Sequence, residues 1–173
     1  MERTLHFASA RRVQVRRLAP FLGVSALIVV FDQLTKAFIR ARLQEGESWP
    51  VFGTLLRISH VENSGAAFGI LQGASVFLLI TTVVGVGALC AYLLLVPQGN
   101  RWYTLALALV LGGALGNFID RATRGTVTDF IDPTRYPAFN IADSSIFVGV
   151  VVLLAATYFV PERPADEAAR ANS

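Results

Sequence analysis

Four long apolar runs, at approximately residues 19–37, 70–96, 102–119 and 145–160, constrain this chain more than any other feature. Each is close to the roughly 20 residues that the hydrocarbon core of a bilayer demands. They are continuous blocks without a helical stripe, so they have no polar side to turn towards water. Inside lipid the backbone must satisfy its own hydrogen bonds, and each run is therefore expected to be a helix. Hydrophobic residues make up 54% and charged residues 16% of the 173 positions, which leaves no room for a second domain. The expected fold is one all-α polytopic membrane domain, residues 1–173, with four transmembrane helices.

The tail before the first run carries Arg3, Arg11, Arg12, Arg16 and Arg17 against Glu2 alone, a charge bias that holds it in the cytoplasm. The first run has no small-x-small cleavage site and continues directly into Asp32-Gln33-Leu34-Thr35-Lys36, so it is expected to stay as an anchor. Four spans then place both termini in the cytoplasm and the segments 40–63 and 120–142 outside. In that topology Asp32 and Lys36, Asn63, residues 117–121 and residues 140–143 all meet at the outer face of the membrane. Charged groups facing lipid cost about 2.5–3.5 kcal/mol each, so a cluster of this kind is expected to face a partner or a site.

Spacing within the groups supports a shared interior. Asp32 and Lys36 are four apart, and Asn117, Asp120 and Arg121 stand at i, i+3 and i+4, so each set occupies one side of its helix. The bland account of Asp32 with Lys36 is a salt bridge that fixes the depth of the first span, and Asp120 beside Arg121 has a similar account. Asp129 and Asp143 are different, because neither has a Lys or Arg within four positions. Two such acids at a hydrocarbon boundary suggest a pair sharing one proton. Gly112, Gly113 and Gly116 read as packing residues that let spans approach closely. Residues 49–61, rich in β-branched and aromatic types with a turn candidate at Gly53, are expected to form a small two-stranded flap leaning on the bundle or the bilayer. The segment 161–173 reads as a frayed end.

Several chemistries are set aside on composition and spacing. Cys90, between Leu89 and Ala91, is a small apolar packing group rather than a nucleophile, and Leu89 does not suit the small-residue preference before a lipidated cysteine. His6 and His60 lie in opposite compartments, so no zinc site of the H-E-x-x-H type is expected. Ser64 lacks the G-x-S-x-G context of a serine hydrolase. The rival class is a small membrane transporter or proton channel using intramembrane acids. Such a path needs polar groups through the depth of the bilayer, whereas the second run offers only Gln72, Thr81 and Thr82.

Five motifs in order carry a family resemblance: Asp32-Gln33-Leu34-Thr35-Lys36, Asn63-Ser64-Gly65-Ala66-Ala67-Phe68, Gly112-Gly113-Ala114-Leu115-Gly116-Asn117-Phe118-Ile119-Asp120-Arg121, Val127-Thr128-Asp129-Phe130 and Phe139-Asn140-Ile141-Ala142-Asp143-Ser144. Together they resemble the bacterial lipoprotein signal peptidases, or signal peptidase II. The resemblance spans roughly residues 31–160. It implies a membrane aspartic endopeptidase of the bacterial inner membrane that removes signal peptides from prolipoproteins, cutting just before a cysteine that already carries a diacylglyceryl group. It further implies catalytic Asp129 and Asp143, a site lined by Asn63, Gly65, Asn117, Arg121 and Asn140, and support from Asp32, Lys36 and Asp120. Diacylated prolipoproteins and membrane lipids are the expected partners, with no nucleic acid, and the chain is expected to be a monomer. The chemistry calls for no metal and no organic cofactor, because a carboxyl pair with one proton already supplies an acid and a base.

Overall fold

The computed structural model describes residues 2–65, 75–95 and 101–159, with side chains for 19–65, 77–89, 91 and 101–159. The elements follow as α1 (Glu2–Arg42), β1 (Ser48–Phe52), β2 (Leu56–Asn63), α2 (Ser75–Leu95), α3 (Arg101–Arg124), β3 (Val127–Asp132) and α4 (Ile141–Phe159). Three helical stretches among the described residues are long and apolar enough to cross a membrane: Ala19–Arg42, Arg101–Arg124 and Ile141–Phe159. Within α2 the described side chains make a shorter apolar stretch, Phe77–Leu89. The expected run at 70–96 is thus a helix over Ser75–Leu95, and its first residues fall outside the described part. So do Ala66, Ala67, Phe68, Gln72, the side chain of Cys90 and the segment 161–173.

The helices run past the apolar blocks that define them. α1 continues to Arg42, α3 continues to Arg124, and α4 already starts at Ile141. Asp32, Lys36, Asn117, Asp120, Arg121 and Asp143 therefore sit on rigid helix rather than on loops, at the same end of the bundle.

α3 is the central helix. It contacts α1, α2 and α4, and among the described elements α2 touches α3 alone. Phe21, Leu107, Ala108 and Leu111 form the buried cluster, closed by Val24, Val86, Leu89, Leu115 and Leu153. Close approach depends on three glycines of α3: a Cβ on Gly112 would lie 2.9 Å from the carbonyl oxygen of Ser25 in α1. A Cβ on Gly113 would collide with the carbonyl oxygen of Ala142, and one on Gly116 would stand 2.7 Å from Asp32 Oδ2 and 3.3 Å from Ala142 Cβ. Small residues allow this contact without the side-chain interdigitation that would push the helices apart. On the outside, Leu27, Phe31, Phe147 and Phe159 are exposed, an outward face suited to lipid.

The extramembrane segments form a three-stranded antiparallel sheet in the order β1-β2-β3, not a two-stranded flap. The hairpin β1-β2 lies where expected, with Gly53 in its turn at φ 52°. The additional strand comes from the segment after α3. Five of its six residues are buried, so its sequence lacks the polar and apolar alternation by which a half-buried strand is read. Ile39, Leu43 and Phe130, with Ile58, Ile131 and Ile141 around them, fasten the sheet to the end of α1 and the start of α4. β2 and β3 pair Val61 with Asp129, Glu62 with Thr128 and Asn63 with Val127, after a register irregularity between Ile58 and Val61. Asp129 consequently projects from a strand that packs against α1 and α3.

Candidate active site

Asn140 and Asp143 are held by the start of α4. Asn140 immediately precedes the helix, and its Oδ1 accepts from the Asp143 amide at 2.9 Å, while the Asn140 amide donates to Asp143 Oδ2 at 3.3 Å. This is the reciprocal geometry of a capping box, with Asn at the cap and Asp at the third helical position. The remaining oxygen of Asp143, Oδ1, accepts from Asn117 Nδ2 at 2.7 Å. Both carboxylate oxygens are thus oriented by groups fixed on helices, and a carboxylate at a helix start lies at the favourable end of the macrodipole.

Asp129 is held by two amides whose orientation is dictated in turn. Asn63 Oδ1 accepts from the amide of Gly65, at 2.8 Å, which leaves Asn63 Nδ2 to donate to Asp129 Oδ2 at 2.8 Å. Gly65 has φ 89°, a left-handed conformation that a side chain would strain. Because Asn140 Oδ1 is committed to Asp143, its Nδ2 donates to Asp129 Oδ1 at 2.7 Å and to Asn117 Oδ1 at 3.1 Å. One side chain, Asn140, therefore joins the two aspartates. Asp129 is only 2% exposed. Burial, assisted by the charge of Asp143, pushes its carboxyl up to about 7 against the opposing pull of the Asn63 and Asn140 hydrogen bonds.

Beneath this pair lies a fully buried ion cluster. Lys36 Nζ reaches Asp32 Oδ2 at 2.8 Å, Asp120 Oδ2 at 3.0 Å and Asn117 Oδ1 at 2.9 Å. Lys36 and Asp32 are both 0% exposed, so an unbalanced charge here would be costly. The second lysine-bound acid, Asp120, is also approached by Arg40 Nη1 at 3.7 Å. Two cations thus oppose two carboxylates, and the cluster is neutral. Asp32 does more than hold the lysine: its Oδ1 accepts from the backbone amide of Ala142 at 2.9 Å, at the first turn of α4. It thereby links α1 to the helix that carries Asp143. The i, i+3 spacing of Asn117 and Asp120 brings both to Lys36, and Asp120 pairs with the lysine rather than with its neighbour Arg121.

Arg121 is placed differently from the other expected residues. It is electrostatically coupled to Asp143, Asp129 and Asp120, yet its Nε is buried without a hydrogen-bond partner among the described residues. Its guanidinium thus places a cation with an unpartnered Nε beside the aspartate pair. No group of three or more metal-ligating side chains occurs among the described residues. Residues that sequence reasoning passed over include Gln33, which donates to Asp32 Oδ2, Gly116 O and Asp120 Oδ1, and Arg40, which donates to Thr128 Oγ1 at 3.0 Å. Gln33 lay within a quoted motif, and Arg40 is four residues beyond Lys36 on the same helix face. That spacing was a legible signal.

An apolar helical bundle with two aspartates at one end, each fixed by asparagine groups, has the construction of a membrane-embedded aspartic peptidase. The comparisons with known proteins name the family within that class. Residues 24–159 match the family model for signal peptidase (SPase) II. The chain is 45% identical over 135 residues to the lipoprotein signal peptidase of Moorella thermoacetica, covering 78% of this chain and 89% of the relative. It is 44% identical over 132 residues to that of Shouchella clausii, covering 76% and 87%. For the lipoprotein signal peptidase of Staphylococcus aureus strain MRSA252 the identity is 42% over 144 residues, covering 79% and 88%. A solved structure described as a bacterial membrane enzyme, determined by the in meso method at 1.9 Å resolution, superposes with a TM-score of 0.75 at 38% identity, covering 82% of this chain and 94% of the other. This chain belongs to the signal peptidase II family.

Proposed function

We propose that this membrane enzyme removes signal peptides from diacylglyceryl-modified prolipoproteins, cutting just before the lipidated cysteine, with Asp129 and Asp143 as its catalytic pair. The observation that carries the assignment of residues is the Asn140 bridge: its side-chain Nδ2 donates to the Asp129 carboxyl, its backbone amide donates to the Asp143 carboxyl, and its Oδ1 accepts from the Asp143 amide. The charge of Asp143 also bears on Asp129, so the two carboxyls divide the work of acid and base between them. Asp129 enters the reaction carrying the proton, in keeping with a carboxyl raised to about 7 by burial. Asp143 draws a proton from water, and the water attacks the scissile carbonyl carbon. Asp129 donates to the carbonyl oxygen, and the tetrahedral intermediate collapses as a proton passes to the leaving amine.

Asn63, Gly65, Asn117, Arg121 and Asn140 line the site. Arg121, with an uncommitted buried Nε, stabilises negative charge developing on the substrate carbonyl. Asp32, Lys36 and Asp120 support the pair by fixing α1, α3 and α4 relative to one another. No metal or organic cofactor takes part. The substrate's acyl chains lie along the exposed apolar faces of the helices, where membrane lipids also bind, and the enzyme acts as a monomer. The site is at the extracytoplasmic end of the bundle, with both termini in the cytoplasm. Support comes from the arginine-rich tail and from the 21 residues of α2, which at about 1.5 Å per residue match the bilayer core. Incubation of purified protein with diacylated and unacylated forms of one prolipoprotein tests the proposal by product mass. Cleavage of the diacylated form alone is expected, and cleavage of neither overturns it.

A further inference from the structure

The strand that carries Asp129 is also held from its opposite face. Glu62 stands across from Thr128 in the β2-β3 ladder, next to the pair that places Asn63 opposite Val127. Alternation sends Asn63 and Asp129 to one face of the sheet and Glu62, Thr126 and Thr128 to the other. On that second face Glu62 Oε2 accepts from Thr126 Oγ1, and Oε1 accepts from Thr128 Oγ1 at 2.9 Å. His60 Nε2 also meets Oε1 at 2.9 Å, while His60 Nδ1 meets the carbonyl oxygen of Leu43 at the end of α1. Arg124 at the end of α3 approaches the same carboxylate at 4.0 Å. Burial opposes ionisation of Glu62, but the hydrogen bonds from Thr126, His60 and Thr128 outweigh it and hold its carboxyl below the usual range.

Thr128 in turn is fully buried and is gripped from the helices. Its hydroxyl accepts from Arg40 Nη1 at 3.0 Å, and its amide donates to Asp120 Oδ2 at 3.4 Å. Thr128 is the residue immediately before Asp129. The ladder has already slipped once between Ile58 and Val61, and a slip of one residue would turn every side chain of a strand to the other face. A carboxylate bonded to two threonines two positions apart admits only one register beyond that irregularity.

We infer that Glu62 is a positioning residue for the catalytic reaction: by tying Thr128 of β3 and Thr126 just before it to β2, it fixes the register in which Asn63 hydrogen-bonds Asp129. The inference rests on the proposed catalytic role of Asp129. Glu62 touches neither aspartate, so its effect is on the rate of the bound complex and on the environment of Asp129, not on affinity for lipidated substrate. Without it the Asn63 contact loosens, and that contact favours the ionised form of Asp129.

The experiment compares the full-length protein in detergent as wild type, Glu62→Ala, Glu62→Gln, Thr128→Val and the Glu62→Ala/Thr128→Val double variant, with Asp129→Asn as reference. Cleavage of a diacylated prolipoprotein is followed across pH. Glu62→Ala is expected to lower kcat by about 10- to 100-fold, the scale of a small misplacement of a reacting group, with KM within about twofold. Its alkaline limb, set by loss of the Asp129 proton, should move to higher pH. Glu62→Gln, which keeps an acceptor for Thr128, should restore most of kcat and the wild-type limb. Thr128→Val should lose rate as Glu62→Ala does, and the double variant should lose clearly less than the two losses combined, because both changes cut the Glu62–Thr128 link. Wild-type kcat and pH profile in a folded Glu62→Ala overturn the inference, as do losses that add in the double variant. If Glu62→Ala does not accumulate, wild-type kcat and pH profile in Thr128→Val overturn it equally. Activity remaining in Asp129→Asn would instead refute the role of Asp129, which separates the two failures.

Discussion

Asp129→Asn should do two things at once: abolish cleavage and remove most of the loss of stability that accompanies rising pH. The carboxyl is raised from 3.8 to about 7 in the folded protein, roughly three pH units, which corresponds to about 4 kcal/mol at about 1.36 kcal/mol per unit. Between those two values the folded chain keeps a proton that the unfolded chain has released. Stability from this group is therefore lost as pH rises from about 4 to about 7, and the loss is complete above that range. Asparagine cannot titrate, so the variant escapes it. The variant instead carries a cost independent of pH, because its NH2 must face Asn63 Nδ2 or Asn140 Nδ2, both already committed as donors. Donor against donor costs about 1–3 kcal/mol. The difference in unfolding free energy, variant minus wild type, should thus begin negative near pH 4 and rise by about 4 kcal/mol by pH 8. Reversible unfolding in mixed detergent, followed by circular dichroism at several pH values, measures it, and the constant cost cancels in the slope. A variant whose stability falls with pH as steeply as wild type would refute the reasoning.

Other consequences are equally concrete. Asp32→Asn and Asp120→Asn should lower the yield of folded protein, because loss of one partner leaves buried Lys36 undercompensated at about 3–5 kcal/mol in the worst case. The molecules that do fold should still cleave, and normal accumulation of a dead Asp120→Asn would move that residue into the catalytic set. Gly113→Ala should destabilise by about 1–3 kcal/mol through overlap with Ala142, whereas Gly85→Ala, with open space around it, should be neutral or slightly stabilising in thermal unfolding. Cysteines introduced at Glu45 and Gly99 in a Cys90→Ala background should label oppositely with a membrane-impermeant reagent, and labelling of position 99 in intact cells would overturn the proposed topology.

The elements that were legible in the sequence are those whose signal is local. The helices followed from apolar runs, and the polar residues stood out because amides and acids at the ends of such runs need partners. The start of α4 at Ile141 was missed by the apolar run that begins at 145, although the Asn140 and Asp143 spacing carries it, since a cap residue and an acid three positions later satisfy each other. β3 was not legible as a strand. Its burial comes from α1, α3 and β2, none of which is near it in sequence, and it shows no alternation between a wet and a dry face. The partner of Lys36 was only half legible: Asp32 lies one turn away, but Asp120 approaches from another helix. Glu62 and His60 were invisible for the same reason, their contacts being cross-strand or with the ends of distant helices.

The central claim is that Asp129 and Asp143 act as one unit in hydrolysis. Single-turnover cleavage of a diacylated prolipoprotein by wild type, Asp129→Asn, Asp143→Asn and the double variant tests it directly, with binding checked by competition against a non-cleavable lipopeptide. General acid–base assistance is commonly about 10²–10⁴-fold, and water attack here depends on it, so each single variant should fall to near background while still binding. The double variant should be scarcely worse, as for groups that share a step. Near-normal turnover in either single variant, or losses that multiply in the double, would contradict the account.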